Sequence, residues 1–165
     1  VAVTILQGQL KDTNIAGVHF VSGAQSGTTN ATGTFNYEQG ASITFSIGGI
    51  TLGTTTGKAV ITPIDLIGNG SADHVAVQNM VRFLLMLDTD GYAQNGIQIS
   101  ATVQTAATSW TQIDFNSANF STDVTNILMA ATAAPAMGRW ILSAFSRSSR
   151  STALTAGRWW SGNAA

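Results

Sequence analysis

The chain has 165 residues, 44% of them hydrophobic and only 9% charged, with a formal net charge of −1 and no cysteine. That length fits one domain with a substantial core, and the missing cysteine excludes disulfides, thiolate metal sites and a cysteine nucleophile. No stretch approaches the roughly eighteen apolar residues of a membrane helix, so no membrane span is expected. Soluble domains average about 25% charged residues, so Thr, Ser, Asn, Gln and Gly must supply most of the polar surface. Such a surface repels copies of itself only weakly and tolerates close packing between them. Beginning at Val1, without Met or a basic-then-apolar leader, the sequence reads as a mature or trimmed chain.

The first expected element is a strand over Val1 to Leu10, with Val1, Val3 and Ile5 on one face and Ala2, Thr4 and Leu6 on the other, so that both faces could be covered. A second strand is expected over Val18 to Val21, then a turn at Gln25-Ser26-Gly27. Asn30 to Gly33 predicts a tight turn in which Asn and Gly take positive φ. TFNY places Phe35 and Tyr37 on one face, and ASITFSIG directs Ile43, Phe45 and Ile47 inward. Gly48-Gly49 then returns the chain as a hairpin into ITLG. Strands this short and this closely spaced predict a small antiparallel β-sandwich over residues 1–63.

Near Pro63 the pattern changes. Asp73 is the expected N-cap of a helix over HVAVQNMVRFLLMLD, buried through Val77, Met80, Val81, Leu84, Leu85 and Leu87. SATVQTAATSW predicts a short helix capped by Ser100, and TQIDF a brief strand. STDVTNILMAATAA predicts a third helix, with Ser121 as cap, Asp123 in the first turn and Pro135 beyond its end. The expected fold class is therefore α+β, a small antiparallel β-sandwich followed by a helical segment over 64–138 packed on it. Residues 139–165 form an Arg/Trp-rich tail. Three basic and eight acidic residues occupy 1–138, whereas the tail carries Arg139, Arg147, Arg150 and Arg158 and no acid. Four spaced arginines make a thin nucleic-acid footprint. The expected partner of the tail is the acidic body of its own chain or of a neighbour, and nucleic acid is not expected.

TTNATGTFNYEQGASITFSIG resembles the T-x-x-x-G-x-F…G-x-x-[VI]-x-F-x-[IL]-G pattern of bacterial extracellular prealbumin-like or carboxypeptidase-regulatory-like β-sandwich modules. Thr29, Gly33, Phe35, Gly40, Phe45 and Gly48 occupy the matching places. ITPIDLIG and QNMVRFLLMLDTDGYAQNGI resemble a string of secreted bacterial proteins that begin with the same sandwich. The resemblance implies a scaffolding or adhesive unit that is not itself catalytic, located outside the cell or on its surface.

LDTDGYAQNGI is the most specific local motif. Asp88, Asp90 and Asn95 offer oxygen ligands around a Gly91 turn, as a Ca²⁺ site would. Tyr92 and Ile99 stand where an EF-hand loop needs its third ligand and its bidentate Glu, so the loop is not an EF-hand. The alternative is a helix end followed by Asp-Gly and Asn-Gly turns. His19 and His74 have no acid or Cys at metal spacing and read as packing or surface residues. Asp65 and Glu38 could pair as carboxylates, although lone acids among turns usually cap or stay solvated. Neither a G-x-S-x-G elbow, an S-x-x-K pair nor a phosphate loop occurs. No catalytic set emerges, so an enzyme is not expected, nor any cofactor beyond Ca²⁺.

Low charge, a neutral polar surface and a strand-forming N-terminus predict a secreted structural subunit that self-associates into a filament or surface layer. Its N-terminal strand would add to an open sheet edge of the next copy. Val1, Val3, Ile5, Trp159 and Trp160 are the candidate subunit-interface residues. On that scheme, deleting residues 1–8 abolishes polymers and leaves a folded monomer. The alternative is an extracellular adhesion or carbohydrate-binding module with Trp110, Tyr92 or Trp159–Trp160 as stacking platforms.

Overall fold

The chain forms β1 (Ile5–Leu10), β2 (Ile15–Ala16), β3 (His19–Ser22), β4 (Gln25–Thr28), β5 (Thr34–Glu38), β6 (Ser42–Ile47), β7 (Ile50–Thr56) and β8 (Val60–Ile61), with period-two alternation of apolar residues clearest in β5 and β6. The computed structural model describes residues 2–68 and 71–132. Val1, Pro135, the Arg/Trp-rich tail and with it Trp159 and Trp160 lie outside the described residues. The fold is mixed α+β. One sheet has the order β5-β1-β8 and a second the order β4-β3-β6-β7. They meet across aromatic side chains: the Phe35 ring contacts Phe45 edge-on at 5.1 Å and lies 6.1 Å from Phe20. Phe35, Tyr37, Ile43, Phe45 and Ile47, the expected inward set, are all buried.

Pairing is not antiparallel throughout. β1 meets β8 in parallel at Gln9–Val60 and Leu10–Ile61, and β2 pairs in parallel with β9 (Ile97–Gln98). Parallel neighbours need a long connection between them, and here the intervening strands and helices supply it. Nor is Gln25-Ser26-Gly27 a turn. It belongs to β4, and the chain reverses earlier, at Gly23 (φ 56°), where Glu38 Oε1 accepts the Ala24 N–H. The Asn30–Gly33 turn does form, but only Gly33 takes positive φ (74°). Asn30 acts through its side chain instead, its Oδ1 accepting the N–H groups of Thr32 and Thr34.

β1 begins at Ile5, with Leu6 and Leu10 turned toward the core, while Val3 and Ile5 face outward. Only one of its faces is covered, where the sequence allowed both. Because β1 lies between β5 and β8, removing residues 1–8 would strip Leu6 from the core and leave β5 only its Gln9–Thr34 pairing with β1. A folded monomer is therefore not the expected product of that deletion.

Thr62 opens a short helix, α1 (Pro63–Ile67), that the apolar pattern does not announce. Pro63 fits the first helical position, where its missing N–H costs nothing. Asp65 Oδ2 accepts from the Thr62 backbone N–H and hydroxyl, and Asp65 Oδ1 pairs with Lys58 Nζ at 2.6 Å. Burial pushes the Asp65 carboxyl up, but the Lys58 and Thr62 donors together outweigh it and hold it below the usual aspartate range. A depressed carboxylate contributes stability that is complete above the unfolded pKa and fades as pH falls through the folded one. Asp65→Ala is thus expected to cost about 1 kcal/mol at neutral pH, the typical value of a lost cap. The gap to the wild type should narrow below about pH 4, as urea unfolding of both proteins at neutral and acid pH would report.

The long helix, α2 (Val75–Met86), is capped by His74 rather than Asp73: His74 Nδ1 accepts the Ala76 N–H at 3.2 Å. Asp73 stands one position ahead, its N–H given to the Ser71 hydroxyl. Val77, Met80, Leu84 and Leu87 are buried as expected, joined by Phe83 and Met86, while Val81 and Leu85 are half-buried. Ser100 caps α3 (Ala101–Ala107), its Oγ accepting the Val103 N–H. TQIDF forms no strand. Side-chain amides fix this segment instead: Gln112 accepts the Thr51 N–H at 2.7 Å and donates to the Thr51 carbonyl at 3.0 Å, and Asn79 Nδ2 donates to the Phe115 carbonyl. Ser121 is not the cap of α4 (Phe120–Thr132) but lies within its first turn. Ser117 does the tying, its hydroxyl accepting the Asn119 N–H and donating to Asp123 Oδ2.

Helices and sheets share one core, in which Ile15, Phe20 and Phe45 belong to the same buried cluster as Met80, Phe83, Trp110 and Phe115. Gln104 of α3 clamps the two halves, donating to the Gly17 carbonyl and accepting the Gly48 N–H.

Candidate functional site

Leu87 is the C-cap of α2, and the next residue, Asp88, is only 1% exposed. Its Oδ1 accepts the Gln98 N–H at 2.9 Å, while Thr89 donates to the Gln98 carbonyl, so the loop is clasped to β9. Oδ2 is buried and has no hydrogen-bond partner among the described residues. Leaving a buried polar atom unmatched costs about 1–3 kcal/mol, and more when it is charged. Burial pushes the Asp88 carboxyl above the usual range, the Gln98 amide works against that, and the adjacent Asp90 charge pushes it up again.

Asp90 is exposed and well satisfied. Its Oδ1 accepts the Tyr92 N–H at 2.8 Å and its Oδ2 accepts from Asn95 Nδ2 at 2.6 Å. The Asn95 donor, followed by the Tyr92 amide, holds the Asp90 carboxyl below the usual range. Gly91 makes the reversal between them with φ 67°. The structure thus brings Asp88, Asp90 and Asn95 into one loop, with Asn95 presenting a donor, not a ligand oxygen, to Asp90. Among the described residues no group of three or more His, Cys, Asp or Glu side chains is gathered as a metal centre.

The second candidate region is the N-terminal strand. Val3 is 58% and Ile5 43% exposed. Gln9 N–H donates to the Ala59 carbonyl and Lys11 N–H to the Ile61 carbonyl, whereas Leu10 N–H donates to the Gly33 carbonyl. Odd-numbered residues of β1 therefore turn their backbone groups toward β8, and even-numbered ones toward β5. β8 pairs only with Gln9 and Leu10. Ile5 and Gln7 consequently direct their N–H and C=O groups to a side without a neighbouring strand among the described residues.

The remaining candidates separate. Trp110 is 6% exposed and packs edge-on against Phe83, so it is a core residue and not a stacking platform. Tyr92, at 58% exposure, is available. Glu38 lies opposite Ile5 at one end of β1, while Asp65 follows β8 at the other, so the two carboxylates do not form a pair. His74 caps α2, and His19 lines a polar cleft of about 420 Å³ with Thr28, Ser46 and Gln104, none of which is an acid able to orient its ring. The buried state of Asp88 and the amide clamps of Asn79, Gln104 and Gln112 are not anticipated from the sequence. Asn79 alone leaves a trace there, a polar residue three after Ala76 and four before Phe83 on the apolar face of α2.

No protein-family model matches the chain, and no curated protein or solved structure matches it. The likeness to secreted sandwich modules rests on the motifs quoted for it.

Proposed function

We propose that the chain is a secreted structural subunit that self-assembles into an extracellular filament or surface layer. In this reading its N-terminal half is a prealbumin-like sandwich and the N-terminal strand is the joining element. The observation that carries it is the side of β1 left open among the described residues, where Ile5 and Gln7 offer backbone groups beside the exposed Val3 and Ile5. An unpaired edge with apolar side chains is the physical basis of strand addition. The 9% charge content supports the same reading, because a weakly charged surface offers little repulsion to its copies. A non-catalytic role is supported by the occupation of Glu38, Asp65 and His74 in turns and caps. The second reading, an adhesion or carbohydrate-binding module, is favoured by the exposed Tyr92 alone.

A lysine on an open edge is the device natural sheets use against edge-to-edge pairing. Wild-type protein should show concentration-dependent oligomers in sedimentation velocity and regular filaments or sheets in negative-stain micrographs. Ile5→Lys should remain monomeric while its stability stays within about 0.5 kcal/mol of wild type, as for an exposed site. A wild type that is monomeric throughout, or polymers that persist in Ile5→Lys, would reject the proposal.

A further inference from the structure

We propose that the loop following α2 binds a hard divalent cation of the Ca²⁺ class, with the buried Asp88 Oδ2, the Asp90 carboxylate and the Asn95 side-chain oxygen as its protein ligands. The site is independent of the self-assembly reading and is carried by two separate observations. One is the gathering of Asp90 and Asn95 around the Gly91 reversal, with 2.6 Å between their side chains. The other is Asp88, nine-tenths and more buried, whose Oδ2 has no partner among the described residues. Asp88 stands two positions before Asp90 in the same loop, and the Gln98 N–H holds its other oxygen, Oδ1.

The electrostatics of this arrangement are incomplete as they stand. Asp88 Oδ1 is matched by the Gln98 N–H, and both Asp90 oxygens are matched by Tyr92 and Asn95. The one unmatched oxygen is the buried one, and the charge beside it has the same sign. Lys58–Asp65 is the one ion pair among the described residues, so no side-chain cation there compensates Asp88. A bound cation would match Oδ2 and screen Asp88 from Asp90 in a single step. Each carboxylate oxygen has about two acceptor positions, so Asp90 can keep its Tyr92 hydrogen bond while it ligates. Asn95 needs a half-turn of its terminal amide, which exchanges Nδ2 for Oδ1 and turns a donor to Asp90 into a ligand.

Two carboxylates and one amide fall below the three-acid grouping of a preformed centre, and that decides the class of ion and the strength. Ca²⁺ accepts irregular sets of about six to eight oxygens, water included, whereas Mg²⁺ demands a near-ideal octahedron and dehydrates reluctantly. Affinity should fall in the range of extracellular Ca²⁺ modules, about 10⁻⁴–10⁻³ M.

Tyr92, beside the loop and exposed, makes Tb³⁺ a suitable probe, because an aromatic ring close to the ion sensitises its luminescence. Titration of the full chain should give saturable luminescence that millimolar Ca²⁺ displaces and Mg²⁺ displaces poorly. Asp90→Asn, a change at an exposed position that preserves shape, should raise the half-saturating Tb³⁺ concentration about tenfold or more, since ligand charge tunes such sites. Tyr92→Phe should lose the luminescence yet keep the Ca²⁺-induced rise in Tm. That rise should be about 3–5 °C at ten times the half-saturating Ca²⁺ concentration. Luminescence that Ca²⁺ does not displace, or that Asp90→Asn leaves unchanged, would overturn the proposal. So would a wild-type Tm indifferent to Ca²⁺ combined with Asp88→Asn melting at or above wild type. Asp88 would then be a neutral buried cap for Gln98, with no ion to hold.

Discussion

Phe35→Ala is expected to remove about 3–5 kcal/mol of stability, the range for truncating a fully buried aromatic. Phe35 is 1% exposed and is the ring on which the two sheets converge, lying 5.1 Å from Phe45, 5.9 Å from Tyr37 and 6.1 Å from Phe20. The neighbouring strands are tied by backbone ladders on both sides, through β1 to β5 and through β3 to β6 and β7, so they cannot collapse into the space. A cavity therefore persists, and its cost adds to the lost transfer free energy. Urea unfolding should show the lower midpoint with an unchanged m-value, and Tm should fall by roughly 10 °C. Phe35→Leu, which keeps most of the volume, should recover more than half of the loss. A Phe35→Ala cost near 1 kcal/mol, within the ordinary range for point mutations, would mean that the sheets are not joined through this ring.

The β half was legible in the sequence wherever local alternation decides the outcome. Phe35 and Tyr37, then Ile43, Phe45 and Ile47, are inward because a period of two leaves them no other face once one face is buried. The Asn30–Gly33 turn was readable from its residue types, although Asn30 works by its Oδ1 where a positive φ was expected; Gln25-Ser26-Gly27 was not, because it lies in β4 and the reversal falls at Gly23. What escaped is long-range. The parallel contacts of β1 with β8 and β2 with β9 involve two residues each, too few to imprint a pattern. TQIDF alternates as a strand would, with Ile113 and Phe115 buried, but its polar contacts come from Gln112 and Asn79 side chains. Nothing in a linear sequence separates a ladder from its amide mimic.

The candidate cation loop was half legible. Spacing alone put Asp88, Asp90 and Asn95 on one reversal, and the structure brings them together. The asymmetry between them came only from tertiary packing: α2 delivers Asp88 to the core boundary, where β9 covers it, while Asp90 stays in solvent. Two identical side chains two positions apart thus acquire opposite pKa displacements from burial on one side and donors on the other. The strand β9 that covers Asp88 is itself held by β2, so the loop is only as well formed as that two-residue pair.

That dependence makes Gly17 the second position of large expected effect. Gly17 follows β2 with φ 80°, and a Cβ built there would lie 1.9 Å from the Ile99 carbonyl oxygen, just past the end of β9. Its own carbonyl receives Gln104 Nε2, and its N–H donates to the Thr29 carbonyl at 2.9 Å. Alanine would carry two penalties at once. The left-handed conformation costs an L-residue roughly 1–2 kcal/mol, and the contact is with backbone that cannot rotate away, so β9 must move and release the Ala16–Ile99 hydrogen bond. The expected total is about 3 kcal/mol, combining the conformational strain with one lost backbone hydrogen bond. Gly40 supplies the control, because it has nearly the same φ of 81° with no atom within 4 Å of its would-be Cβ. Gly40→Ala should therefore show the conformational penalty alone, about 1 kcal/mol. Hydrogen exchange should accelerate at Ile97, Gln98 and Ile99 in Gly17→Ala only, and any Ca²⁺ response of the Asp88 loop should weaken with it. Equal costs at the two glycines, with exchange at β9 undisturbed, would show that β2 and β9 can separate without harm and that Asp88 is held from the α2 side alone.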